Sequence, residues 1–175
     1  MDAQFQEMFD HFQIRKVLAA YCRGSDRVDQ ALMASVYAQD SWDDHGVVQA
    51  SGPDFARIMC ERIRTGTDSL SHLLGQSTIT VDGDAAGAES YFLGLVHDVW
   101  SDGTPMCNQL GGRFVDSLAR EDGEWKVKNR KVLRDWSVAI PVHHDWVLSN
   151  TLTRGRRSNE DHSYKVLGTT HGARD

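Results

Sequence analysis

Apolar residues near the start of the chain recur in steps of three and four: Phe5, Met8, Phe9 and Phe12, then Ile14, Val17, Leu18 and Tyr21. That spacing predicts one helix face from Phe5, with a small phase shift in its middle and an end at Gly24. Asp29 is placed to cap a second helix, "QALMASVYAQ", which carries Leu32, Met33, Val36 and Tyr37. "SWDDHGVV" reads as a short strand. "GPDFARIMCERIR", with Pro53 near its start and Phe55, Ile58, Met59 and Ile63 at helical spacing, predicts a third helix. Beyond residue 70 the pattern becomes strand-like through "STITV", "DAAGAESYFLGLVHDVW", "MCNQLGGRFVDSLAR" and "EWKVKNRKVLRDWSV". The turns "DGD" and "EDGE" suit tight hairpins. Helices first and a long meander afterwards predict an α+β domain over residues 1–140, with helices on one face of a strongly curved, mostly antiparallel sheet. Residues 141–175 read as an irregular extension that packs on the domain or on a neighbouring subunit, with the last eight or so expected to be mobile.

Composition narrows the function classes. The 175 residues are 40% hydrophobic and 25% charged, with a net charge of −6. That describes a globular domain able to enclose a small-molecule pocket, and it argues against a general nucleic-acid binder. The one basic cluster, "RGRR" (Arg154 to Arg157), reads as a solvated loop. No stretch approaches a membrane span, and the N-terminus lacks the apolar run of a signal peptide. Cys22, Cys60 and Cys107 are odd in number and far apart, which suits free thiols in the cytoplasm. "HHD" at 143–145, even with Asp44 and His45, has no metal-ligand spacing, so no metal is expected. "GG" at 111–112 reads as a bulge or bend in the sheet.

Taken singly, the polar residues at the ends of these elements have plain structural explanations. Asp26, in "YCRGSD", has the chemistry of a turn. His72 could be a satisfied histidine at a strand edge, Tyr21 continues the apolar stripe of the first helix, and His97 could end a buried strand. Alternation through "EWKVKNRKVL" puts Trp125, Val127 and Asn129 on one face, which leaves Arg130 facing solvent unless a bulge intervenes.

Three blocks change that picture. "IRKVLAAYCRGSDRVDQALMASVYAQDSWDDHG", "SLSHLLGQSTITVDGDAAGAESY" and "GGRFVDSLAREDGEWKVKNRKV" occur in the order found in the SnoaL-like group of the NTF2-like superfamily, which residues 5–140 resemble. Within that group the chain looks most like the cofactor-independent lyases, such as scytalone dehydratase, bile-acid 7-alpha-dehydratase and hexachlorocyclohexane dehydrochlorinase. The resemblance implies a cone-shaped pocket with Asp26 and His72 as a dyad, and Tyr21, Arg130 and His97 as candidates to assist the leaving group. It implies no cofactor, a small apolar and cyclic or aromatic substrate, and a homo-oligomer, dimer or trimer. A histidine base oriented by a buried carboxylate suits proton abstraction near neutral pH. The same parts would serve a ketone isomerase. A non-catalytic reading also follows from the fold, as an assembly module akin to the small subunit of ring-hydroxylating dioxygenases.

Overall fold

The computed structural model describes residues 2–142 and 151–168. Helix α1 (Ala3–Arg27) is followed by α2 (Gln30–Ser35), β1 (Tyr37–Asp44), β2 (Gln49–Ser51) and α3 (Gly52–Gly66). Four long strands come next: β3 (Ser69–Asp82), β4 (Ala85–Val99), β5 (Pro105–Glu121) and β6 (Glu124–Pro141). A short helix, α4 (His162–Leu167), lies in the C-terminal extension. The strands form one six-stranded sheet in the order β2-β1-β6-β5-β4-β3. Every pairing is antiparallel except β1 with β6. Helices packed on one face of a mixed sheet give the expected α+β, NTF2-like architecture.

Local chemistry accounts for most element ends. Asp29 caps α2 by accepting from the Leu32 N–H at 3.0 Å. Ser51 caps α3, with Pro53 in its first turn. Asp122 and Gly123 both have positive φ, 51° and 82°, as the two-residue turn between β5 and β6 requires.

Four expectations need correction. Gly24 does not end α1, which runs three residues further and stops where Val28 turns left-handed at φ 55°. The phase shift in α1 is about half a helical turn at 100° per residue. Its buried line runs through Asp10, Ile14, Leu18 and Tyr21, while Phe5, Met8, Phe9 and Phe12 point outward, Met8 being 61% exposed. The residues "YAQ" leave α2 early because Tyr37 and Ala38 are buried as the start of β1. Finally, the extension is not wholly irregular. α4 packs against α1 and the cap of α2: the Arg23 guanidinium lies 4.6 Å over the Tyr164 ring, and the Tyr164 hydroxyl donates to Asp29 at 2.8 Å.

The core lies between the three N-terminal helices and the inner face of the sheet, around Leu18, Met33, Phe55, Phe114, Trp125 and Val127. Asp10 is buried on that side of α1, which would be costly without partners. It accepts from the Trp125 indole N–H at 3.0 Å and from Arg120 at 2.8 Å. Burial raises its pKa, but the hydrogen bonds from Arg120, Trp125 and Gln6 outweigh burial and hold it below the ordinary value. A lowered folded-state value stabilises the fold above the unfolded pKa, and that stabilisation fades as pH falls through the folded one. Asp10→Asn should therefore cost about 2 kcal/mol at pH 7. The penalty should shrink below about pH 4. Urea unfolding of both proteins across that range measures it.

Candidate active site

The end of α1 delivers the first candidate carboxylate, Asp26. A Cβ on Gly24 would stand 2.7 Å from the Met33 backbone nitrogen, so this glycine lets α1 and α2 cross closely. The helix continues past it and presents Asp26 to β3. There both carboxylate oxygens are used: Oδ1 lies 2.6 Å from His72 Nδ1, and Oδ2 accepts the His72 backbone N–H at 3.0 Å. The two residues are 46 positions apart in sequence. With the carboxylate accepting, Nδ1 carries the ring hydrogen, an arrangement that in the neutral imidazole leaves the lone pair on Nε2. Among the described residues nothing bonds Nε2. The pair is only slightly open to solvent, at 11% for the His72 side chain and 13% for Asp26. It borders a groove of about 440 Å³ between α1 and β3, lined by Ala19, Cys22, Arg23, Asp26, Arg27, His72 and Leu74.

Arg130 joins the same region because alternation in β6 is broken. Ser117 pairs with Asn129 but Leu118 pairs with Val127, which leaves Lys128 as the extra residue of a bulge. Trp125 and Val127 face the core before the bulge, and Arg130 faces it after. Its guanidinium binds the carboxylate of Asp116 with two bonds, Nε at 2.8 Å and Nη2 at 2.7 Å, and both side chains are 0% exposed. It also packs on the rings of Tyr21, at 4.1 Å, and Phe114, at 4.4 Å, which meet edge to face. Burial opposes its charge, but Asp116 outweighs burial and holds Arg130 protonated. Its third nitrogen, Nη1, is buried with no partner among the described residues.

Tyr21 lies under Arg130 and beside His72, with ring centroids 6.3 Å apart. Burial pushes its hydroxyl well above the ordinary tyrosine range, so it remains a phenol. That hydroxyl meets His45 Nε2 at 3.1 Å, and His45 Nδ1 lies 2.5 Å from Asp43 Oδ1. Asp43 is fully buried and also accepts from the Tyr37 hydroxyl at 2.5 Å. Phe92 and Phe114 stack at 4.3 Å beside His72, and Phe55 lies 4.5 Å from the His45 ring. The arrangement is an apolar aromatic wall carrying a few converging polar groups, the usual composition of a small-molecule site.

Of the five expected site residues, Tyr21, Asp26, His72 and Arg130 converge and His97 does not. His72 pairs across with Gly94, so His97, three residues further along β4, lies on the opposite face of the sheet and is exposed. Its neighbour Asp98 takes the inner face instead and accepts from Asn108 Nδ2 at 2.9 Å. Asp43, Asp98 and Asp116 are polar groups that residue-by-residue reading missed, and His45 is weighed there only as a metal ligand. Asp43 and His45 two apart at a strand end share one face, which was the available signal. Burial pushes the Cys22 thiol up to about 12, a poor setting for a nucleophile. Among the described residues no three His, Cys, Asp or Glu side chains cluster as metal ligands. His143, His144 and Asp145 lie outside the described residues, as do residues 169–175.

This fold, with its three N-terminal helices on one face of a mixed sheet, is that of a SnoaL-like, NTF2-like domain. The SnoaL-like domain family matches residues 6–131, and the chain belongs to it. Solved structures agree at the level of the fold. "Putative Scytalone Dehydratase" from Novosphingobium aromaticivorans DSM 12444 is 19% identical, with a TM-score of 0.69, over 82% of this chain and 99% of that one. A type 2 hexachlorocyclohexane dehydrochlorinase, LinA, is 15% identical, with a TM-score of 0.72, over 82% and 97%. A cystatin-like protein of unknown function from Nostoc punctiforme is 17% identical, with a TM-score of 0.60, over 73% and 92%. No curated protein matches the sequence.

The Arg130–Asp116 pair supports this region, because the Arg130 guanidinium packs on the rings of both Tyr21 and Phe114. Asp116→Ala leaves a buried guanidinium uncompensated and should destabilise the fold by about 3–5 kcal/mol. Thermal unfolding measures the loss. Arg130→Met combined with Asp116→Leu should recover most of it.

Proposed function

We propose that the protein is a cofactor-independent lyase that eliminates a leaving group from a small, apolar, cyclic or aromatic molecule. The observation that carries this reading is the His72–Asp26 pair at the edge of an open groove, with a doubly bonded carboxylate behind the ring and Nε2 unbonded among the described residues. His72 takes a proton from a carbon next to an electron-withdrawing group. Asp26 holds the ring in orientation and stabilises the imidazolium that forms. Arg130 Nη1 and the Tyr21 hydroxyl are suited to stabilising negative charge that develops on a substrate oxygen. The stacked rings of Phe92 and Phe114 suit a flat apolar substrate. His97 has no part in this proposal, since its face of the sheet is the wrong one. The names of the dehydratase and dehydrochlorinase neighbours agree with this class of reaction.

The outer face of the sheet supports a homo-oligomer. Leu73, Tyr91, Trp136, Val138 and Ile140 are all more than 40% exposed, and the pairing register sets them side by side. Trp136 lies flat on Gly111, where a Cβ would stand 2.3 Å from the indole. An apolar surface of this extent is best covered by a second copy of the chain. Val138→Lys with Ile140→Lys should shift the sedimentation coefficient to that of a smaller species, while an unchanged coefficient places the contact elsewhere.

The reading of the dyad is tested by turnover on a panel of ring ketones carrying a β-hydroxyl or β-halide. His72→Ala should lose at least about 10²-fold in kcat while keeping the wild-type circular dichroism spectrum. Asp26→Asn should lose a comparable factor. Near-normal turnover by a folded His72→Ala protein removes His72 from the mechanism.

A further inference from the structure

The histidine at position 45 has no part in the scheme above, although its setting mirrors that of His72. The His45 ring lies 6.3 Å from the Tyr21 ring and 6.4 Å from Phe114, and the His72 ring lies at the same two distances. Each histidine has a carboxylate on Nδ1, Asp43 at 2.5 Å for His45 and Asp26 at 2.6 Å for His72. They differ at Nε2. That of His72 is free among the described residues, whereas that of His45 is occupied by the Tyr21 hydroxyl at 3.1 Å. The Tyr37 hydroxyl donates to the second oxygen of Asp43, so both oxygens of this buried carboxylate are satisfied and its orientation is fixed. Hydroxyl, imidazole and carboxylate therefore stand in line, as in a catalytic triad, with tyrosine supplying the hydroxyl.

We propose that Tyr21, His45 and Asp43 form a second proton-transfer unit of this site, opposite His72 and Asp26, and that the leaving group is consequently an oxygen rather than a halide. The inference rests on the lyase reading and narrows its substrate class. A departing halide needs no proton, whereas a departing hydroxyl does. His72 Nε2 takes the proton from carbon, and the C–H electron pair becomes the new double bond. The C–O bond breaks with its electrons on oxygen, which takes the Tyr21 proton and leaves as water. The Tyr21 oxygen takes a proton from His45 Nε2. The step requires both ring protons on His45 at its start and leaves the neutral imidazole, its Nδ1–H still bound by Asp43. Solvent then removes the proton from His72 and returns one to His45. The relay also resolves a conflict in the role of Tyr21. Burial opposes its phenolate, so it is a poor acid unless its proton is replaced as it leaves. His45 is here a positioning and relay residue, and Tyr21 is the group that touches substrate.

The test compares a benzo-fused β-hydroxy ketone with its β-chloro counterpart in wild type, Tyr21→Phe, His45→Gln and His72→Gln, with spontaneous elimination subtracted. Glutamine at 45 can bond Tyr21 but cannot carry the proton. The relay predicts that Tyr21→Phe and His45→Gln lose about 10²-fold in kcat on the hydroxy ketone. On the chloro ketone they should stay within about threefold of wild type. Equal losses on both substrates, or none on either, overturn the relay. His72→Gln should lose both activities; its keeping them, or a wild type that turns over neither ketone, overturns the lyase reading instead. The coupling itself is read without substrate from the imidazole nitrogen-15 spectrum of the free protein. Tyr21→Phe should move the His45 Nε2 signal and leave that of His72 in place. A His45 signal that does not move overturns the relay whatever the turnover shows.

Discussion

The contact on which the site depends is the double use of Asp26. One oxygen takes the ring hydrogen of His72 and the other takes its backbone N–H. A single carboxylate thus fastens the last turn of α1 to the edge strand β3 and sets the tautomer of the histidine. The fold must bring a helix end to that strand, and Gly24 allows it by letting α1 approach α2 without a side chain between them. Position and chemistry are therefore one constraint: whatever moved α1 would also release the ring.

The rest of the site is charge and aromatic surface in a small buried volume. Arg130 and Asp116 neutralise one another with good bidentate geometry, the condition under which burying two charges is tolerable. Their pairing keeps a positive group against the faces of Tyr21 and Phe114, and it leaves one guanidinium nitrogen unbonded among the described residues. On the far side of Tyr21, Asp43 and His45 provide a second histidine–carboxylate pair. Low dielectric makes each of these interactions stronger than it would be in water, and makes each unsatisfied group more costly. The polar groups beneath the aromatic wall are few, and among the described residues His72 Nε2 and Arg130 Nη1 are left without partners.

Much of the fold was legible in the chain. The order of helices and strands, the Asp29 cap, the proline at the start of α3 and the Asp-Gly turns each act through local chemistry that sequence displays. Features set by tertiary contact were not. Gly24 looks like a helix stop and is a crossing point. The Phe5–Phe12 and Ile14–Tyr21 stripes look like one face because apolar steps of three and four persist, although the switch between them turns the helix by about 180° at 100° per residue. Arg130 shows the limit most sharply. Strict alternation sends it to solvent, and only the extra residue at Lys128 returns it to the core. The resemblance to a known family puts both Arg130 and His97 among the candidate residues; Arg130 is buried beside Tyr21, whereas His97 is exposed on the opposite face of the sheet. His45 and Asp43 sit in a stretch that reads as a short strand, and only the folded chain brings them to Tyr21.

The central claim is that His72 removes a proton from carbon. It is tested most directly by following hydrogen–deuterium exchange next to the carbonyl of a benzo-fused ring ketone in heavy water. This needs no leaving group and no second proton donor. The account predicts that the wild-type protein accelerates exchange and that His72→Ala, with its fold intact, reduces it to the uncatalysed rate. Exchange that the wild type fails to accelerate, or that the variant sustains in full, would contradict it.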